Sequence, residues 1–270
     1  MTSLGDRVVY GAGPVRELIA RRPTTVHAVW VDPQRAGRTT SDPIAAIVVA
    51  ARAAGIRVED RDRKTLDRAA GQGAGDGARH GAGGEVRHQG VVAWLGEFDY
   101  VDVAALMPAA GPALVVALDG VEDPRNLGAI LRSAYLLGAD GVIIPEHRAA
   151  QVTSVVAKAS AGASELVAIA RVGNLVRALD ELRELGLWRV AVAATEAAQP
   201  IATIDGTLPL CLVLGAEATG VRPLVAKNCD FHAIIPMAEG RGAIGSFNVS
   251  VAASLALYEV RRQRALHSVP

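Results

Sequence analysis

Three stretches of the chain gather residue types that do chemistry where a scaffold needs only packing. In "LDGVEDPRNLGAILRSA" an apolar run ends at Asp119 and a helix begins near Asn126, which reads as its N-cap. Gly128 allows close backbone approach there, and Arg132 stands on the helix. Taken alone, a capped helix bearing a surface arginine accounts for this stretch. In "LVLGAEATGVRP" Glu217 lies in a turn bracketed by Gly215 and Gly220. A glycine-rich turn after a buried strand is a place where backbone amides meet a cofactor. In "AIGSFNVSVAASLALYE" Ser246 and Asn248 flank Phe247 at the start of an apolar helix, after the strand "HAIIPM". One capping side chain serves a helix start, so two polar residues are more than capping requires. Each stretch sits at the carboxyl end of an expected strand, and their joint order is more specific than any one of them. Neither the G-x-G-x-x-G fingerprint nor a G-K-[ST] phosphate loop is present, which leaves NAD and ATP poorly supported.

The elements that must position these residues alternate from Ala113 onward. "ALVVALD", "GVIIP", "LVAIA", "WRVAVAAT", "PLCLVLG" and "HAIIP" read as buried parallel strands. Between them, Leu127, Ile130, Leu131, Ala134 and Leu137 share one helical face, as do Leu175, Leu179 and Leu182. This is the pattern of a doubly wound α/β domain, in which ligands bind outside the carboxyl ends of the strands. The first half reads as a smaller α/β unit. A turn leads into a helix with Val15, Leu18 and Ile19 inward; "VHAVWV" is a strand, "DPIAAIVVAARAAG" a helix, "IRVED" a short strand and "VVAWLG" the last strand. The boundary falls near Pro108 to Pro112, giving domains over 1–108 and 109–270. Within residues 70–88, the glycine-rich run Gly71 to Gly84 reads as a flexible surface loop, with Arg79, His80, Arg87 and His88 in reach of a partner.

Composition adds limits. Aromatic residues make up only 4%, so the core must be built from Ala, Val, Leu and Ile. Lys plus Arg equals Asp plus Glu at 28 each; net charge therefore lends no support to a nucleic-acid partner, although a local basic face is compatible with neutrality. Cys211 and Cys229 form neither a metal-type cluster nor a disulfide framework, and Cys211 reads as core packing. There is no charged-then-apolar leader and no apolar run long enough to span a membrane, so a cytoplasmic protein is expected.

The set Asn126-x-Gly128-Ala129-x-x-Arg132-x-Ala134, then Gly215-x-Glu217-x-x-Gly220, then Ile235-Pro236-Met237 followed by Gly245 to Ala252 resembles the three motifs of the SpoU (TrmH-like) RNA 2′-O-methyltransferases of the SPOUT class. The likeness covers the whole second half. The first half, through "VVYGAGPVRELI" and "RHQGVVAWL", is similar to the L30e-like RNA-binding domain of the ribosomal RNA members. The resemblance implies a SPOUT catalytic domain with a trefoil knot, an exception to the usual rules of chain connection. It implies S-adenosylmethionine as cofactor, held by Leu214, Gly215, Ile235, Met237, Ser246, Phe247 and Asn248. Members usually carry leucine where this chain has Phe247. It also implies a homodimer whose site is completed across subunits, with catalysis by Arg132 and with Asn126, Glu217, Ser246 and Asn248 positioning it or the RNA. No metal is needed, because the leaving thioether is neutral. A guanosine of 23S ribosomal RNA is the expected target. The alternatives are an adenosine of the same RNA, as in the thiostrepton-resistance enzymes, a transfer RNA guanosine, or a non-catalytic RNA-binding scaffold.

Overall fold

The computed structural model describes residues 7–35, 42–72, 88–193, 195, 198–217, 219–238 and 245–267. The chain forms two compact units, Met1–Asp99 with Val152–Leu166, and Tyr100–Gln151 with Val167–Pro270.

In the first unit β1 (Arg7–Tyr10), β2 (Val26–Val31), β3 (Arg57–Asp60) and β4 (Val91–Leu95) form a sheet of order β1-β4-β2-β3. Only the β2–β3 pairing is parallel. The helices are α1 (Ala12–Arg21), α2 (Pro43–Ala53) and α3 (Arg63–Gln72). Asp42 starts α2 by accepting the Ile44 N–H at 2.9 Å, and Pro43 supplies a residue suited to the first helical position. Val15, Leu18 and Ile19 of α1 are buried with Ile44 and Ile47 of α2 against Val29, Val91 and Ala93.

Helix α3 departs from the expected loop over 70–88. Its Leu66, Ala69 and Ala70 are buried, so the helix runs on through the first residues assigned to that loop. His88, expected to reach a partner, is 5% exposed instead. Its Nδ1 accepts the Gly90 N–H at 2.9 Å and its Nε2 lies 3.1 Å from Asp67. The expected loop between them, with Arg79, His80 and Arg87, lies outside the described residues.

In the second unit β5 (Leu114–Asp119), β6 (Gly141–Pro145), β7 (Ala168–Val172), β8 (Trp188–Val192), β9 (Gln199–Pro200), β10 (Leu210–Gly215) and β11 (Phe231–Ile234) form a sheet of order β7-β6-β5-β10-β8-β11-β9. Every pairing in it is parallel. Parallel strands covered on both faces need apolar side chains throughout, which is why β5, β6 and β10 are almost continuous Val, Leu and Ile. Val115, Ala117, Cys211 and Val213 pack on one face with Leu175, Ala178, Leu179 and Leu182 of α6 (Leu175–Glu184) and Val225 of α7 (Pro223–Lys227). The other layer holds α4 (Pro124–Leu137) and α8 (Val249–His267), which pack on each other. The Arg264 guanidinium anchors α8 by donating to the carbonyls of Pro112, Ala113, Gly206 and Leu208 at 2.8–2.9 Å.

The division between units differs from the boundary expected near Pro108 to Pro112. Val101 bridges to Ala170, and Val103 and Leu106 are buried in the second unit's core, so the linker stretch already belongs there. Conversely, α5 (Ser154–Ala159) belongs to the first unit. Ala157 enters its core, Ser154 accepts the Val8 N–H at 3.1 Å, and Glu165 takes a buried ion pair from Arg7 at 2.7 Å.

Candidate functional site

The turn after β10 is built on a contact that only glycine permits. A β-carbon on Gly215 would lie 1.9 Å from the Gly220 carbonyl carbon and 2.1 Å from the Val221 nitrogen. The chain thus folds back on itself between Ala216 and Gly220, which bridge, with Gly220 in the left-handed region at φ 64°. Asp119, wholly buried at the end of β5, secures the exit of this turn. It accepts the Arg222 backbone N–H at 2.8 Å and its Nε at 2.7 Å. Glu217 is therefore displayed from a braced turn, not from a loose loop.

Helix α4 starts differently from expectation. Its N-cap is Asp123, whose carboxylate accepts the Arg125 N–H at 2.7 Å, with Pro124 in the first helical position. Asn126, expected as the cap, lies inside the first turn and its amide is released for another partner. It donates to Glu217 Oε1 at 2.6 Å. Asn248 does cap α8: its Oδ1 accepts the Ser250 N–H at 2.9 Å and the Ser250 hydroxyl at 2.6 Å. The remaining end of the same amide donates to Glu217 Oε1 and, at 3.2 Å, to Asn126 Oδ1. Both amides thus hold one carboxylate oxygen. Glu217 Oε2 has no hydrogen-bond partner among the described residues.

Beside this cluster, the carboxyl ends of β8, β10 and β11 open onto a cavity of about 400 Å³. Leu214, Gly215, Ile235, Met237, Ser246 and Phe247 line it, together with Glu217. Asn248 is not on its wall; it faces Glu217 and Asn126. The size lies in the range of small-molecule sites, and an aliphatic and backbone wall with a few polar groups at one end suits a flat heterocycle carrying a polar tail. Arg132 is exposed on α4, lines neither this cavity nor the cluster, and has no hydrogen bond or ion pair among the described residues.

Sequence reasoning missed Val192, Ala193 and Thr195 as cavity wall, and it missed the Asp119–Arg222 brace. An acidic residue ending a buried apolar strand was the available signal for the brace. The thiols lie away from the site, and burial pushes Cys229 up to about 12. Among the described residues no cluster of three His, Cys, Asp or Glu is arranged to hold a metal ion, and no helix is long and apolar enough to cross a membrane.

Comparison with known proteins gives a consistent answer. The SpoU rRNA Methylase family matches residues 113–258. The 23S rRNA (guanosine-2′-O-)-methyltransferase RlmB of Coxiella burnetii is 38% identical over 260 residues, 95% of either chain. The putative TrmH family tRNA/rRNA methyltransferase YacO of Bacillus subtilis is 44% identical over 182 residues, 66% of this chain and 72% of its own. Among solved structures, the SpoU methyltransferase AviRb from Streptomyces viridochromogenes, in complex with AdoMet, superposes with a TM-score of 0.73 at 25% identity, covering 96% of this chain and 90% of that one.

Proposed function

The chain belongs to the SpoU rRNA methylase family, and from that premise we propose that it methylates a ribose 2′-hydroxyl of ribosomal RNA, a guanosine of the 23S molecule, using S-adenosylmethionine. One observation carries the reading to residues. Asn126, Glu217 and Asn248 come from three distant stretches and meet on one carboxylate oxygen beside a cavity of cofactor size.

The cofactor supplies an electrophilic methyl group on a sulfonium. Leu214, Gly215, Ile235 and Met237 hold its adenosine part, with Ser246 and Phe247 closing the pocket. The work left to the protein is to align the ribose hydroxyl with that methyl group, the hydroxyl proton passing to solvent water. Glu217, fixed through Oε1 by two amides, keeps Oε2 for a hydrogen bond from the incoming nucleotide. Guanidinium does not give up its proton at ordinary pH, so Arg132 serves as a cation: it holds the adjacent phosphate and stabilises charge developing on the ribose oxygen.

Arg132 is on an open face of α4, and this favours a homodimer in which it acts at the partner's cavity. Val251, Leu255 and Tyr258 form an exposed stripe on α8, and Leu136 on α4 is 68% exposed. Such a stripe on a layer of two packed helices fits a second copy of itself. In the same reading the second unit is a SPOUT catalytic domain with a trefoil knot, supported by the order β5-β10-β8-β11. The first unit is an L30e-like RNA-binding domain, supported by the small mixed sheet with its helices. A ribosomal RNA substrate implies a cytoplasmic enzyme.

Calorimetric titration with S-adenosylmethionine, followed by labelled-methyl transfer to unmodified ribosomal RNA, tests this. Wild-type protein should bind and transfer, with the label on a 23S guanosine; label on an adenosine or on transfer RNA would change the substrate. Arg132→Ala should keep cofactor affinity and lose about 10²–10³-fold in turnover, the usual effect of removing one charge-stabilising donor. Near-normal turnover would remove Arg132 from the mechanism. Absence of cofactor binding by the wild type would leave an RNA-binding scaffold.

A further inference from the structure

A second cavity, of about 630 Å³, opens at the carboxyl ends of β5, β6 and β7. It shares Ala216 and Thr219 with the first, so the two adjoin at the turn that displays Glu217. Its wall is polar. His147 and Arg148 come from the loop after β6, Arg222 from the exit of the turn, and Glu122 and Asn174 from the loops after β5 and β7. Arg222 is neutralised by Asp119, whereas Arg148 and His147 have no hydrogen bond or ion pair among the described residues.

Arg148 is also held in an unusual backbone. Its φ of 54° is in the left-handed region, which a side chain with a β-carbon disfavours. The loop is fixed from both ends. The Glu146 N–H donates to Val172 O at 2.9 Å, the Ala150 N–H to Val121 O at 2.8 Å, and Gln151 Nε2 to the carbonyls of Pro145 and Ala149. A strained residue that its surroundings over-determine, carrying an unpaired cation to a cavity mouth, points to a ligand for that cation.

We propose that this second cavity receives the RNA at the target nucleotide, with Arg148 and His147 gripping a backbone phosphate and Glu122 and Asn174 facing ribose hydroxyls or a base edge. The inference rests on the methyltransferase reading for its substrate. The chemistry matches: guanidinium is the geometric partner of phosphate, and single-stranded RNA is read through hydroxyls and splayed base edges. The position matches as well. A methyl acceptor must approach within about 3–3.5 Å of the methyl group, so its pocket has to adjoin the cofactor's.

The test uses Arg148→Gly, which deletes the guanidinium while giving that φ to the residue that tolerates it, and His147→Ala as a second variant. Filter binding of each full-length protein to an unmodified 23S ribosomal RNA transcript is measured across a salt series, beside cofactor calorimetry and methyl transfer. Arg148→Gly should weaken RNA binding about tenfold, reduce the salt slope by about one and raise KM more than it lowers kcat, with cofactor affinity within about twofold of wild type. His147→Ala should act in the same direction. Unchanged RNA affinity and salt slope in both variants, with a wild type that transfers methyl, would overturn this site and leave the functional reading intact. A wild type that binds RNA through Arg148 yet transfers nothing would overturn the functional reading and leave the site. A wild type with no RNA affinity overturns the site itself.

Discussion

A β-carbon at position 215 has nowhere to go. The atoms it would meet are backbone, 1.9–2.2 Å away, and cannot rotate aside as a side chain would. Gly215→Ala should therefore cost about 1–3 kcal/mol, the usual range for overpacking, and abolish measurable cofactor binding, because the turn it spreads is the cavity wall. Urea denaturation and calorimetry read the two effects, and an unaltered midpoint with unaltered affinity would detach the turn from the site. At this scale the sequence was partly legible. The surplus of polar side chains at the start of α8 pointed to a second duty for Asn248, and its amide caps the helix at one end and holds Glu217 at the other. Asn126 misled, because asparagine is a good cap; the pair Asp123–Pro124 takes the cap and the first position, and the amide is left for Glu217.

Helix α8 starts at Asn248 of the cluster and carries an exposed apolar stripe along its length. Val251, Leu255 and Tyr258 recur at helical spacing and are 38–57% exposed. If that stripe is where two copies meet, Leu255→Asp places a charge in the interface. The expected result in sedimentation is a folded monomer at half the wild-type mass, with methyl transfer lost because Arg132 no longer reaches a partner's cavity. A dimer of full activity would count against action across subunits. Elements with a clean apolar period were readable, as α2, α6 and the long strands demonstrate. Helix α3 was not: "RKTLDRAAGQ" buries only Leu66, Ala69 and Ala70, and alanines beside glycines give almost no hydrophobic contrast.

In the whole molecule, the segment Val152–Leu166 is part of the first unit although both its flanks belong to the second. A chain cut to residues 100–270 would uncover Val156, Ala157 and Glu165, all buried in the intact protein, and deprive Glu165 of Arg7. Such a fragment should melt lower and less cooperatively than the full chain in a calorimetric scan; an equal midpoint would show that the segment stands without the first unit. The amino-acid sequence by itself determined six of the seven strands of the second unit, its longer helices α4, α6 and α8, the parallel character of its sheet and the three stretches that carry polar chemistry. Those are local properties, written in apolar runs and in side chains that capping does not use up. Only the tertiary structure decided that Asn126 and Glu217, 91 residues apart, and Asn126 and Asn248, 122 apart, share one cluster. It also set the turn at which the two cavities adjoin, and the unit to which α5 belongs. The physical reason is that strand order fixes these distances, and periodicity along the chain carries no record of which strand will lie beside which.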